Sequence, residues 1–231
     1  MRPIYYVDCF AGKGRFDDGQ DGSPMIAAQS ISKSIKNSKL EPTLLQNAIR
    51  PYFIELNHAD ELRENMKTAP FFPGKYEVIS GKFEEKICGI LHNRKGDNVF
   101  LYIDPYGIKE LDSQLFATIH GFEFRSFEML INFNSFGFFR DACQVLKVDH
   151  SQDKALQNLE DLVEYEPTQV DSSSNSERLL TAIAGGDYWK KILRVYQRGE
   201  INRYQAEMRL STMYRDHLRK HIPIYLICQL D

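Results

Sequence analysis

The segment IYYVDCFAGKG, residues 4–14, is the clearest indication of the fold class in this sequence. Its first four residues are β-branched or aromatic, which is typical of a strand. The strand ends at Asp8, and Gly12 and Gly14 then allow the backbone to turn tightly and to approach a ligand without side-chain obstruction. A strand that leads into a glycine loop is a typical first unit of an α/β fold.

Strand-like and helix-like segments alternate after this loop. Further strands are predicted at 52–55, 76–79, 98–103 and 128–133, with helices at 25–35, 57–66, 84–92 and 109–120. This alternation predicts a mostly parallel sheet with helices on both faces, since right-handed crossovers place the helices there. Sheets of this kind bind ligands at the carboxyl ends of their strands.

The alternation stops after residue 133, where mostly polar helical sequence precedes a last strand-like run at 223–228. We therefore predict a Rossmann-like domain formed by residues 1–136 and 222–231. Residues 137–221 are predicted to be a helical insertion between the fifth and sixth strands.

Composition sets limits on the class of protein. The 231 residues are 42% hydrophobic and carry a net charge of −3, as in many soluble globular proteins. No apolar run approaches the roughly 20 residues needed to cross a bilayer, and no secretory signal begins the chain. A cytoplasmic location is predicted. The six histidines show no ligand spacing, so no metal is predicted.

The glycine loop fits one class of ligand better than two others. A dinucleotide fingerprint requires a glycine where Asp17 stands, and a Walker A loop requires Ser or Thr directly after Lys13. An acid beside exposed backbone donors suits the ammonium and carboxylate of S-adenosylmethionine. The loop resembles the first motif of class I methyltransferases in its D-x-F-x-G-x-G form. A simple glycine turn after a buried strand is the alternative.

Further cofactor contacts are expected at the ends of the second and third strands. Glu55 ends the second strand, where its carboxylate can accept hydrogen bonds from both ribose hydroxyls. Lys82 and Phe83 follow the third strand, where such folds contact the adenine. Phe83 either packs on the base or is the first core residue of the next helix. The predicted cofactor-binding residues are Asp8, Phe10, Gly12, Gly14, Glu55, Lys82 and Phe83.

Asp104, Pro105 and Tyr106 close the fourth strand and are the predicted catalytic residues. They resemble the D/N/S-P-P-Y/F/W motif of amino-methyltransferases, whose acid or amide side chain and proline-flanked carbonyl accept hydrogen bonds from an exocyclic amine. Such contacts would orient the nitrogen toward the methyl group. The chain departs from that motif, because Tyr106 stands in place of the second proline. A β-turn after a strand is the alternative.

Together these segments resemble the three-Cys-motif partner protein family of bacteria, whose members look like S-adenosylmethionine-dependent methyltransferases. The resemblance implies a partner protein that carries the cysteine motif. Family members have an additional helical segment before the first strand and a final hairpin, so the resemblance also implies a trimmed chain. The matching segments are 6–14, 22–24, 53–55, 100–107, 130–133 and 185–189.

The second half of the predicted insertion is basic. Arg203, Arg209, Arg215 and Arg219 share a predicted helix with several aromatic and methionine residues. Such a helix can contact nucleic-acid phosphates, while Trp189 and Tyr204 offer stacking surfaces. Alternatively, its aromatic residues belong to a core and its arginines pair with nearby acids.

Two functions follow from these patterns. The first is an S-adenosylmethionine-dependent methyltransferase that acts on nucleic acid. The second is a non-catalytic Rossmann-like binding module that works through a partner protein docked on the helical segment.

Overall fold

The computed structural model describes residues 2–39, 48–70, 75–149 and 174–222. Its strands are β1 (Ile4–Asp8), β2 (Ile49–Glu55), β3 (Glu77–Ser80), β4 (Asn98–Ile103) and β5 (Ser126–Ile131). Its helices are α1 (Ser23–Asn37), α2 (Ala59–Met66), α3 (Phe83–Leu91), α4 (Ser113–His120), α5 (Ser135–Leu146), α6 (Ser174–Ala184), α7 (Tyr188–Gln197) and α8 (Arg203–His221).

The five strands form one sheet in which every pair of neighbours is parallel, in the order β3-β2-β1-β4-β5. Asp8 is aligned with Phe53 on one side and with Tyr102 on the other. The chain reverses its direction of progress across the sheet between β1 and β4. In α/β sheets the crevice beyond such a switch point is where ligands bind. The α/β prediction is confirmed, and the arrangement is compatible with a Rossmann-like fold.

The chain divides into two compact units. The first, the sheet unit, consists of residues 1–105 and 119–132, and the second, the helical unit, consists of residues 106–118 and 133–231. The domain boundaries predicted from the sequence stay a prediction, and the expected sixth strand at 223–228 lies outside the described residues.

The sheet unit is held together by a core in which the loop after β1 packs with α1 and α2. Phe53 of β2 is fully buried in a cluster with Ala11 of the loop. Helix α1 contributes Met25 and Ala28 to this cluster, and α2 contributes Leu62 and Met66. Because two residues of each helix enter the core at helical spacing, the helices that follow β1 and β2 are fixed close to the glycine loop.

The helical unit has an aromatic core. Phe133 and Tyr214 stack with ring centroids 4.4 Å apart, and the Tyr214 hydroxyl donates a hydrogen bond to the Leu111 carbonyl oxygen at 3.4 Å. Trp189 is fully buried, packs edge-on against Phe138, and donates its indole N–H to another side chain in the unit. Aromatic rings of this kind bury much surface and pair at these distances.

Apart from β1 and β4, the elements predicted as far as residue 133 begin one to four residues from the predicted start. Helix α4 starts at Ser113 rather than at residue 109, because the Asp112 carboxylate accepts a hydrogen bond from the Gln114 N–H. Strand β5 runs from Ser126 to Ile131, two residues earlier than predicted, and Asn134 then caps α5.

Within the described residues, no helix is both long enough and apolar enough to cross a membrane.

Gly14 lies close to the buried face of α2. Its φ is +81°, and a Cβ placed there would lie 2.8 Å from Cδ1 of the buried Leu62. We therefore expect Gly14→Ala to lower the free energy of unfolding by about 2 to 3 kcal/mol, from backbone strain and steric overlap together. Urea denaturation measures this loss.

Gly19→Ala is the matched control, because Gly19 has a φ of +85° but nothing within 4 Å of its added Cβ. It should cost only about 1 kcal/mol, which is the strain alone. Equal losses in the two variants would show that the contact with Leu62 does not constrain the loop.

Candidate functional site

Asp8 is the buried centre of the carboxyl edge of the sheet. Its side chain has no exposed surface, and its two carboxylate oxygens accept hydrogen bonds from the Ser23 hydroxyl at 2.7 Å and from the Phe10 N–H at 3.3 Å. The Ser23 hydroxyl ties β1 to the first residue of α1, so these bonds fix the conformation at both ends of the glycine loop.

Glu55 connects the same loop to α2. One of its carboxylate oxygens accepts the Gly12 N–H at 2.8 Å, and the other accepts the N–H groups of Asn57 at 2.8 Å and His58 at 3.0 Å. An ionised carboxylate has about four acceptor positions. Glu55 therefore has capacity for one further donor while it holds the loop.

Asp104 lies just beyond β4 and is held from two sides. The Tyr102 hydroxyl donates to one of its oxygens at 3.0 Å, and the Asn132 side-chain amide donates to the other at 2.8 Å. Asn132 immediately follows β5, the neighbour of β4, and its own N–H bonds the Ile103 carbonyl oxygen. The carboxylate consequently has a defined orientation with acceptor positions still open.

These three carboxylates influence one another. Burial raises the pKa of Asp8 from 3.8 to about 7, and repulsion from Asp104 and Glu55 adds to the rise, although the Ser23 and Phe10 hydrogen bonds oppose it. Burial, followed by the charge of Asp104, also raises the pKa of Tyr102 to about 12. At the carboxyl edge of the sheet unit, the charge of Asp104 therefore acts on both Asp8 and Tyr102, and the charge of Glu55 acts on Asp8.

The predicted cofactor residues differ in accessibility. Phe83 is only 2% exposed, and its ring packs against Phe10 with centroids 5.4 Å apart, as the first core residue of α3 would. Lys82 is an exposed residue that precedes α3. Gly12 has no atom within 4 Å of an added Cβ, so this side of the loop faces open space.

Three residues of the site were not singled out from the sequence. Leu56 follows Glu55 in the chain and is 50% exposed, so its apolar side chain is accessible. Ser23 and Asn132 orient Asp8 and Asp104. The position of Leu56 directly after a strand-end acid was visible in the sequence, whereas the two hydrogen-bond partners required tertiary structure.

The predicted catalytic tripeptide is divided between the two units. Asp104 and the buried Pro105 belong to the sheet unit, whereas Tyr106 begins the helical unit and is 91% exposed.

The basic helix of the helical unit is α8. Arg203 forms a 3.0 Å ion pair with Glu207, and Arg219 forms a 3.3 Å ion pair with Asp216. Arg209 is exposed, and Arg215 is partly buried with no hydrogen-bond partner for its Nε atom among the described residues. Tyr204 is 65% exposed, but the buried Trp189 has no free ring face for stacking.

In the described part of the chain, no group of three or more histidine, cysteine, aspartate or glutamate residues is arranged to hold a metal ion.

No protein-family model, curated protein or solved structure matches this chain. The function of the site must therefore be inferred from the positions and contacts of its own residues.

The pKa of Asp8 makes stability depend on pH. Between pH 3.8 and about 7 the folded state holds a proton on Asp8 that the unfolded chain has released, so the contribution of Asp8 to stability falls as pH rises through this window. Asp8→Asn removes this dependence. Between pH 5 and pH 8 the variant should gain about 2 to 3 kcal/mol relative to the parent protein.

Urea denaturation of both proteins at the two pH values measures this difference. Ser23→Ala serves as the companion variant, because it removes a hydrogen bond that lowers the pKa of Asp8 and so should extend the window to higher pH. A pH-independent difference between Asp8→Asn and the parent would contradict the burial of an ionisable Asp8.

Proposed function

We propose that the protein is an S-adenosylmethionine-dependent methyltransferase. The observation that carries this proposal is the set of three carboxylates, Asp8, Glu55 and Asp104, at the carboxyl ends of β1, β2 and β4 beside the switch point of the sheet. A ligand that carries an ammonium, a sulfonium and ribose hydroxyls complements three acids. A pyrophosphate would be repelled by them.

The cofactor residues take the following roles in this proposal. Glu55 accepts a ribose hydroxyl in its remaining acceptor position, and the buried Asp8 orients the glycine loop toward the methionine end through its hydrogen bonds with Ser23 and Phe10. The loop from Phe10 to Gly14 supplies a backbone surface without side-chain obstruction near Gly12. For the adenine, the exposed side chain of Leu56 is a more accessible apolar contact than the buried Phe83, while Lys82 lies at the start of α3.

Asp104 presents the acceptor in this proposal. Its carboxylate, held by Tyr102 and Asn132, accepts a hydrogen bond from the acceptor amine and orients the nitrogen lone pair toward the methyl group. The rate gain is then one of positioning, which can amount to several orders of magnitude. Pro105, which follows Asp104 in the sheet unit, would complete the acceptor site, and Tyr106 stays a predicted catalytic residue.

Nucleic acid is the proposed acceptor class, reached through α8. Arg209 and Tyr204 are exposed there and can contact a phosphate and a base, respectively. Arg203 and Arg219 already pair with acids of the same helix, so they would contribute less charge to such contacts.

One observation favours the alternative, a non-catalytic module that acts through a partner protein. All three carboxylates already accept hydrogen bonds from the protein itself. They are thus able to order the loops without a ligand. The resemblance to the three-Cys-motif partner family fits either proposal.

Calorimetry with S-adenosylmethionine tests the proposed cofactor. Glu55→Gln should weaken binding by about tenfold or more, since it removes the acceptor of a charge-assisted hydrogen bond to ribose. The matched control is Glu64→Gln, because Glu64 is an exposed acid of α2 whose carboxylate pairs with the side chain of Lys67. Absence of binding to the parent protein would remove the methyltransferase proposal.

Asp104→Asn separates the two candidate functions. It should leave cofactor affinity within a few fold while abolishing transfer of a labelled methyl group to a nucleic-acid pool. Cofactor binding without transfer by the parent protein would favour the module. Loss of both binding and transfer in the variant would place Asp104 in cofactor binding rather than in acceptor positioning.

A further inference from the structure

Two arginines converge on one tyrosine at the amino edge of the sheet, the edge opposite the candidate site. Arg50 is the second residue of β2, and Arg94 lies between α3 and β4. Both reach Tyr5, the second residue of β1. Because β1, β2 and β4 are parallel, all three residues belong to the edge where the strands begin.

The tyrosine is a fixed platform for the two guanidinium groups. Its ring is only 1% exposed and stacks on Tyr52 with centroids 6.0 Å apart. The guanidinium carbon of Arg94 lies 4.7 Å from the Tyr5 ring centroid, and that of Arg50 lies 5.6 Å from it. Arg50 also donates to the Tyr5 hydroxyl at 3.0 Å. Cation–π contacts thus bring two positive charges to the same buried ring.

These two guanidinium groups have no carboxylate within ion-pair distance among residues 2–39, 48–70, 75–149 and 174–222. One acid near them has another partner, since Asp97 pairs with Arg2 at 3.6 Å. By contrast, seven other arginines in the described part of the chain form ion pairs with carboxylates, namely Arg2, Arg15, Arg63, Arg140, Arg198, Arg203 and Arg219.

Most N–H donors of Arg50 and Arg94 have no hydrogen-bond acceptor among the residues that the structure describes. A guanidinium has five N–H donors in a planar fork. Arg94 uses its Nε to donate to the Ile90 carbonyl oxygen at 3.3 Å, and Arg50 is an exposed side chain with one such bond to Tyr5. Each arginine retains terminal N–H groups for a second partner.

We propose that Arg50 and Arg94 form a binding site for a phosphate group at the amino edge of the sheet. Guanidinium groups bind phosphate through paired N–H donors, and the cation–π contacts with Tyr5 limit the conformations of both side chains before binding. The phosphate belongs either to a small molecule or to a nucleic-acid backbone. This site does not depend on the proposed methyltransferase activity.

The charge distribution of the sheet unit favours this edge for an anion. The three acids of the candidate functional site lie at the carboxyl edge, whereas Arg2, Arg50 and Arg94 lie at the amino edge. The amino edge also carries Glu77, Asp97 and Glu123, but Asp97 pairs with Arg2 and Glu123 with Lys95, so the two guanidinium groups on Tyr5 supply the positive charge that attracts a phosphate.

The test measures the shift of the thermal unfolding midpoint with increasing sodium phosphate, against sodium chloride at equal ionic strength. The parent protein should be stabilised by phosphate beyond the effect of chloride, by mass action on the folded state. Arg50→Gln and Arg94→Gln should each weaken the apparent phosphate affinity by about tenfold, through loss of a charge-assisted contact.

Arg125→Gln is the matched control, since Arg125 is an exposed arginine that directly precedes β5 at the same edge and makes no ring contact with Tyr5. It should change the affinity by less than about twofold. Arg50→Lys retains the charge but not the fork, and it should fall between the parent protein and Arg50→Gln. Because Arg50 is exposed, we expect its variants to fold even if Arg94→Gln does not, and they are then sufficient for the test.

A short single-stranded oligonucleotide distinguishes the sources of the phosphate. Binding of the oligonucleotide that Arg50→Gln weakens assigns the site to a nucleic-acid backbone, while a response to inorganic phosphate alone assigns it to a small molecule. The proposal is overturned if neither ligand binds, or if Arg125→Gln weakens binding as much as Arg50→Gln does.

Discussion

The burial of the Asp8 carboxylate at the end of β1 is the constraint on which the site depends. A carboxyl group without exposed surface requires hydrogen bonds, and the Ser23 hydroxyl and Phe10 N–H provide them. These partners fix where the glycine loop leaves β1 and where α1 begins. Glu55 fixes the same loop from β2, because its carboxylate accepts the Gly12 N–H as well as N–H groups that directly precede α2. Two strand-end acids thereby determine the shape of the loop that would face a ligand.

The strands and the alternation with helices were predictable from the sequence, because their residues have strong local preferences. β1 and β4 are short runs of β-branched and aromatic residues that end at an acid, and both lie where they were expected. The start of α4 was misplaced by four residues, since it is set by the capping side chain of Asp112, and β5 lies two residues earlier than expected. A capping hydrogen bond of this kind outweighs the weak local preferences of the residues near a helix start.

The candidate site was only partly predictable. Asp8, Glu55 and Asp104 could be placed together, since parallel strands that end in acids bring those acids to one edge. Sequence alone left two roles open for Phe83, because its burial depends on a distant contact with Phe10. Nor could it pair Asn132 with Asp104, which are 28 residues apart and meet only through the register of β4 and β5.

We propose that the acidic carboxyl edge binds an adenosine that carries a cationic amino acid. A crystal structure of the protein with S-adenosylhomocysteine tests it most directly. The claim predicts ribose hydroxyls within hydrogen-bonding distance of Glu55, with the adenine beside Leu56 and the ligand sulfur directed toward Asp104. A ligand bound at any other part of the surface, with these three side chains in contact only with the protein, would contradict it.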